Sequence, residues 1–278
     1  MNFRFPVSDL ARQRVSTRAY DGRPLEPEVQ AELTRACAET TKGLLGERAA
    51  FSLVDKPAAQ GQRLKFTDYG FITGPRTFLT GVVIRSARAY ESYGYLLERL
   101  ALKATDLGLQ TCWVGYFHPE YFPQNQPGPD EVFPAVVIVG HGADSWKGRL
   151  VRTFVRATHR QEWDSLFFRS DFRSPLSPAE CGPYAQALEL VRLAPSAGNT
   201  QPWRVVQGAG KETFHFYLKP VKRSYQSRHL HEVDIGIALC HFELGARERG
   251  LSGRWVVGEP SLSRPEPDLD YRLTWAGD

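Results

Sequence analysis

Two stretches of this chain lie over each other without a gap. Gly94 falls on Gly236, Leu97 on Leu239, Leu102 on Leu244 and Ala104 on Ala246. The match continues with Gly108 on Gly250, Leu109 on Leu251, Trp113 on Trp255 and Val114 on Val256, always 142 residues apart. Leucines on helices recur by chance. A Gly-Leu step followed by Trp-Val at fixed spacing is a much stronger sign of internal duplication. In the first copy Leu96, Leu97, Leu100 and Leu107 keep helical spacing, and Gly108 stands where a helix C-cap is wanted, ahead of a short apolar strand.

The surrounding elements follow the same order in both halves. Glu26 to Thr40 predicts an amphipathic helix with Val29, Leu33 and Ala36 on one stripe, and Pro75 to Ser86 predicts a strand. "TCWVGYF" and "FPAVVIVGHG" read as two more. In the second half "PYAQALELVRLA" predicts a helix, and "WRVVQG" and "TFHFYLKP" predict strands joined by a glycine-containing turn. A long helix N-capped by Asp234 then runs into a strand. The connector Trp146–Pro178 ends in Pro and Ser, which places the boundary near residue 170, with halves 1–170 and 171–278. At 278 residues and 42% hydrophobic, the chain has material for two cores of this size.

Several function classes drop out. The net charge is only +4 and the basic residues are scattered, without the stripe or module of a nucleic-acid binder. Cys37, Cys112, Cys181 and Cys240 are far apart with no C-x-x-C pair, which fits neither a disulfide framework nor a zinc site. His229 and His231 are spaced as zinc ligands can be, yet no third ligand stands out, so no metal is expected. "VIVGHGADS" lacks the third glycine of a dinucleotide fingerprint and reads as a turn. Without a signal-like N-terminus or a membrane-length apolar run, the expectation is a cytoplasmic protein that uses no membrane.

What remains is a set of short polar motifs. In "APSAGNTQPW", Ala194 to Trp203, Pro195 stops a helix, Gly198 and Asn199 accept positive φ, and Trp203 anchors the next strand. "RVSTR" sets Arg14 and Arg18, whose guanidinium forks match phosphate oxygens, on either side of Ser16. "LALKATDLGLQTCWVGYF", "TFVRATHRQEWDSLFF" and "YGFITGP" complete the set. Together they resemble the FMN-dependent nitroreductase family, in the branch that fuses two nitroreductase-like halves in one chain. The loop at 194–203 is the most specific of these likenesses.

That resemblance implies an α+β fold, with central, mostly antiparallel sheets flanked by helices and two tandem halves forming a pseudo-dimer. It implies that Arg14, Ser16 and Arg18 meet the FMN phosphate and ribityl chain. The backbone of Val114, Gly115 and Tyr116 would lie near the flavin N5, with Tyr69 near the ring. Arg160 would meet the phosphate, with Arg156 and His159 as weaker candidates, and Pro195, Ser196, Ala197 and Asn199 would close over the ring. Two positions depart from the family: Val15 stands where a second Arg is common, and Gly115 where some relatives carry Glu, which removes a side-chain acid near N5.

In the family this loop reaches over from the other subunit, whereas here it lies in the second half of the same chain. Aligning the helices before the loops at an offset of 157 sets Ala38, Glu39 and Lys42 against Pro195, Ser196 and Asn199, so the first-half loop has lost the motif. The second half has no R-x-S-x-R counterpart. One FMN per chain and a monomer are therefore expected. The implied activity is NAD(P)H-dependent reduction of an electron-poor small-molecule acceptor (nitroaromatic, quinone or enone) by ping-pong hydride transfer. The flavin carries that chemistry, so no catalytic side chain is named. The alternatives are a flavin-binding storage or sensor protein without turnover, and a relative that binds no flavin.

Overall fold

The Gly-Leu and Trp-Val steps that recur 142 residues apart mark the same junction in two separate sheets. The computed structural model describes residues 1–57, 65–68, 70–143, 159–262 and 268–278. The chain divides into units Met1–Thr158 and His159–Asp278. The division precedes the boundary expected near residue 170. The reason is strand pairing: Phe167–Arg169 runs parallel to Trp203–Gln207, which ties the end of the connector to the second sheet whatever its proline and serine content suggests.

The first unit comprises α1 (Val7–Gln13), α2 (Pro27–Glu39), β1 (Ala49–Asp55), β2 (Thr77–Ile84), α3 (Ala89–Asp106), β3 (Gln110–Val114), β4 (Glu131–Val132) and β5 (Val136–Gly140). Its sheet has the order β1-β2-β5-β3, antiparallel throughout, with β4 also pairing with β2. Pro27 sits in the first turn of α2, where its missing N–H costs nothing, and Leu33, Ala36 and Cys37 make the buried stripe. Nearly every residue of α3 is buried, because β2, β3 and β5 pack against it along with α1 and α2. Truncating Leu97 or Leu100 there would cost roughly 2–5 kcal/mol. Around Phe78, the rings of Phe66 and Phe122 approach edge-on at 5.0 and 5.2 Å.

The second unit comprises α4 (Trp163–Leu166), β6 (Phe167–Arg169), α5 (Ala185–Leu193), β7 (Trp203–Gln207), β8 (Thr213–Leu218), α6 (Arg223–Gln226), α7 (Leu230–Glu248), β9 (Gly253–Val256) and β10 (Asp270–Gly277). Its sheet has the order β6-β7-β8-β10-β9. Helix α7 is buried on nearly all sides from Leu230 to Ala246, Glu232 excepted, as expected of a helix at the centre of a unit. It begins at Leu230 after His229 in a left-handed conformation, so Asp234 lies inside the helix rather than at its N-cap. Around Phe242 pack Tyr184, Phe214, Phe216, Trp255 and Trp275.

Taken one at a time, the two units repeat a single plan. The order β1-β2-β5-β3 corresponds to β7-β8-β10-β9, with the long helix after the second strand in each. The long helices end alike. Gly108 (φ +84°) and Gly250 (φ +73°) take the left-handed conformation that a cap requires. Gly108 N–H donates to Thr105 and Leu109 N–H to Ala104, just as Gly250 donates to Arg247 and Leu251 to Ala246. In the strands that follow, the Trp113 and Trp255 indoles each donate at 2.7 Å to a helix glutamate, Glu98 and Glu243. Helix ends Glu39 and Leu193, and strand starts Ala49 and Trp203, both differ by 154 residues, so the connecting loops have equal length. The structural offset is therefore 154 and not the 157 read from the helix sequences. Thr41, Lys42 and Leu45 stand where Pro195, Ser196 and Asn199 stand, and the first loop still lacks the motif.

Candidate functional site

Arg14 ends α1, and the chain then runs along the exposed edge of β3. Ser16 bridges to Thr111 in parallel register, and Thr17 N–H donates to Thr111 O at 2.9 Å. Farther on, Thr73 N–H donates to Arg18 O, and Tyr20 N–H to Thr73 O. This covers a strand edge that would otherwise present unpaired groups. It also turns Arg14 inward, where its side chain is only 3% exposed. Its Nε lies 3.8 Å from Glu98 Oε1, while Glu98 Oε2 accepts the Trp113 indole.

That single ion pair leaves the cation under-used. Arg14 Nε and Nη1 and Arg18 Nη1 are buried with no hydrogen-bond partner among the described residues, as are Thr111 Oγ1 and the Tyr20 hydroxyl. Both guanidiniums act on the same surroundings: burial pushes the Cys112 thiol and the Tyr20 phenol up, and Arg18 and Arg14 pull each back. Arg18 also covers the Phe71 ring at 5.7 Å. A buried donor left unmet costs about 1–3 kcal/mol, more for a charged group. An anion bearing several acceptor oxygens, such as a phosphate monoester, fits this donor set. No cluster of metal-ligating side chains occurs among the described residues.

Val114 closes β3 buried, and Gly115 and Tyr116 follow half-buried in a bend. The Tyr116 carbonyl accepts from Thr67 Oγ1 at 2.5 Å, which holds this backbone in place. Tyr69 and Arg156 lie outside the described residues. The turn after β5 is a backbone junction: Gly142 N–H donates to Gln110 Oε1, and Ala143 N–H to Ala19 O.

In the second unit, α5 ends at Leu193 and Pro195 lies two residues on. Three residues of the loop have positive φ: Gly198 at 57°, Asn199 at 56° and Gln201 at 49°. For Asn199 and Gln201 this costs of order 1 kcal/mol each and persists only when neighbours over-determine it. They do. Ser196 Oγ accepts Gln201 N–H at 2.9 Å, and Thr200 Oγ1 donates to Ala197 O at 3.0 Å. Asn199 Nδ2 donates to His159 O at 2.7 Å, and its Oδ1 accepts Arg160 Nη1 at 3.2 Å. Arg160 Nη2 donates to Leu193 O at 3.0 Å, satisfying a carbonyl at the end of α5. Gln201 Oε1 accepts Gln161 N–H, and Gln161 Nε2 donates to Thr200 O, both at 2.9 Å.

Arg160 was expected among the phosphate-side groups of the first half. It belongs to the second unit, where its guanidinium grips the loop. Asn199 likewise spends its side-chain amide on His159 and Arg160. Sequence reasoning missed Asp234 and His231. Asp234 Oδ1 accepts Ala197 N–H at 2.9 Å, and His231 Nε2 accepts the N–H groups of Val221 and Lys222. The sequence signals were an Asp at the head of an apolar helix, which reads equally well as a cap, and a His229/His231 spacing that reads as zinc ligation.

An antiparallel sheet with one long buried helix inserted after its second strand, present twice, defines a nitroreductase-like α+β fold. Residues 7–246 match the family model described as "Putative TM nitroreductase", and the chain belongs to that family. A crystal structure of a "putative nitroreductase" from Thermotoga maritima shares 17% identity at a TM-score of 0.62, covering 99% of this chain and 95% of that one. A nitroreductase structure from Desulfovibrio desulfuricans in complex with FMN shares 20% identity at a TM-score of 0.39, covering 51% and 91%. One from Desulfitobacterium hafniense with bound FMN shares 15% at 0.40, covering 51% and 92%. No curated protein matches the chain. No helix among the described residues is long and apolar enough to cross a membrane.

Proposed function

We propose that this chain is an FMN-dependent oxidoreductase with one flavin per chain. The observation that carries the proposal is the set of buried, unsatisfied guanidinium nitrogens on Arg14 (Nε, Nη1) and half-buried Arg18 (Nη1), in a chain of the nitroreductase family. Arg14, Arg18 and Ser16 would hold the phosphate and ribityl end. The backbone at Val114, Gly115 and Tyr116 would line the N5 edge. The loop Pro195–Asn199 would present its small residues and main chain to the ring, with Arg160 bracing it in place of a phosphate contact. Bound FMN would supply hydride acceptance from NAD(P)H and hydride donation, in ping-pong order, to an electron-poor acceptor such as a nitroaromatic, quinone or enone.

The residues of this chain would position and shield. The stapled loop gives a pre-ordered wall, which lowers the ordering cost of binding. The first-half loop has Thr41, Lys42 and Leu45 at the positions of Pro195, Ser196 and Asn199, which supports one site rather than two. The shared strand order and helix caps support origin by internal duplication, and with both halves in one chain the protein would act as a monomer.

The test is to load purified protein with excess FMN, desalt it, record the flavin spectrum and add NADPH or NADH anaerobically. About one retained flavin per chain, bleached by nucleotide, is the expected result. Two per chain would overturn the single site. A flavin that stays yellow would replace turnover with storage or sensing, and no retained flavin would overturn the reading.

A further inference from the structure

We propose that Asp234 is a positioning residue for the Pro195–Gln201 loop, holding its Ala197 amide from inside α7 with His231 steadying the carboxylate from behind. This rests on the reading that the loop borders the flavin. Asp234 is 3% exposed and His231 wholly buried, both in the first turns of a helix whose buried polar residues also include His241 and Glu243. Asp234 Oδ1 accepts Ala197 N–H at 2.9 Å. Its Oδ2 lies 3.5 Å from His231 Nδ1, an ion-pair approach in which neither atom makes a hydrogen bond among the described residues. Because His231 Nε2 accepts two backbone N–H groups, Val221 and Lys222 at 3.3 Å each, its proton sits on Nδ1, facing the carboxylate. The chain of contacts thus runs from the turn before α6, through His231 and Asp234, to the first residue of the short helical turn in the loop. Tyr225 closes the arrangement. Its ring meets His231 edge-on at 5.7 Å, and its hydroxyl lies 2.7 Å from where a Cβ on Gly198 would stand.

The duplicated architecture supplies a control. Ser92 stands 142 residues before Asp234, and it ties its own loop one position further on, at the counterpart of Gly198. Its Oγ accepts Leu44 N–H at 3.2 Å and donates to Glu47 Oε2 at 2.7 Å. A hydroxyl therefore suffices to connect helix to loop where the loop lacks the flavin motif. Where the motif is kept, the tie is a buried carboxylate backed by an imidazole, a stronger and more directional acceptor.

The experiment compares wild type, Asp234→Ala and Asp234→Asn by hydrogen exchange of the 196–201 amides in flavin-free protein, thermal melting, and FMN titration. Asp234→Ala should speed exchange in the loop about tenfold while α7 amides stay protected, and weaken FMN about tenfold or more. Asp234→Asn keeps a carbonyl acceptor and should return both to within about threefold of wild type. The inference is overturned if Asp234→Ala leaves loop exchange unchanged, or if loop and α7 exchange rise together with an equal loss in Asp234→Asn, which would mark a merely structural residue. If wild type binds no FMN, the flavin reading fails, and loop exchange alone still decides whether Asp234 positions the loop.

Discussion

Arg14 and Arg18 look equivalent in the sequence, four residues apart around a serine, and their surroundings make them different tools. Arg14 lies 3.8 Å from the buried Glu98, so its removal would take the counter-charge from an interior carboxylate that keeps the Trp113 indole, and should lower stability. Arg18 is half-buried, ends no ion pair among the described residues, and rests on Phe71. Arg18→Ala should therefore leave the melting temperature within about 2 °C while raising the FMN dissociation constant about tenfold or more, the worth of a charged hydrogen bond. A flavin-fluorescence titration beside a melt measures both. Unchanged affinity would remove Arg18 from the phosphate site. Asn199 shows the opposite shift: its letter suggests a ligand contact, but its amide is engaged by His159 O and Arg160 from the segment ahead of α4.

At the scale of elements, the two long helices carry the same cap. Gly108 and Gly250 both have positive φ, and a Cβ at either would meet nothing within 4 Å, so only backbone strain opposes a side chain there. Gly108→Ala and Gly250→Ala should each destabilise the protein by about 1 kcal/mol, read from urea unfolding. Markedly unequal costs would show that the caps are not equivalent devices. The sequence reading placed helices α2, α3, α5 and α7 and strands β2, β3, β5, β7, β8 and β9 correctly, because their apolar periodicity is strong and glycine or proline punctuates their ends. It put Asp234 at a cap because a lone acid before an apolar run is the usual mark of one. What overrode that mark was the turn of helix from Leu230, which buries Asp234 against a loop more than thirty residues back in the chain.

For the whole molecule, no disulfide joins any of the four cysteines, and all four are buried. Burial pushes the Cys37 and Cys181 thiols up to about 12. A thiol with such a value holds roughly a thousandfold less thiolate than free cysteine near neutral pH. Native protein at pH 8 should take up no iodoacetamide over minutes, and all four positions should react after unfolding in guanidinium, as counted by intact mass. Labelling of any one thiol in the native state would contradict its burial. The same view corrects the boundary. Composition marked residue 170, but β6 pairs with β7, which assigns the chain from His159 onward, and Arg160 with it, to the second unit.

The sequence by itself determined the class of fold, the repeated helix-to-strand junction and the loop that distinguishes one half from the other. All of these are local: the junction follows from apolar period and glycine placement, and the class of fold from the family resemblance carried by a run of ten letters. Only the tertiary structure decided which polar groups are left without partners at Arg14 and Arg18, and which are consumed, as at Asn199 and Arg160. It alone set Asp234 and His231 behind the loop. Hydrogen-bond satisfaction depends on what the chain brings back from far along its length, and no window of sequence contains that information.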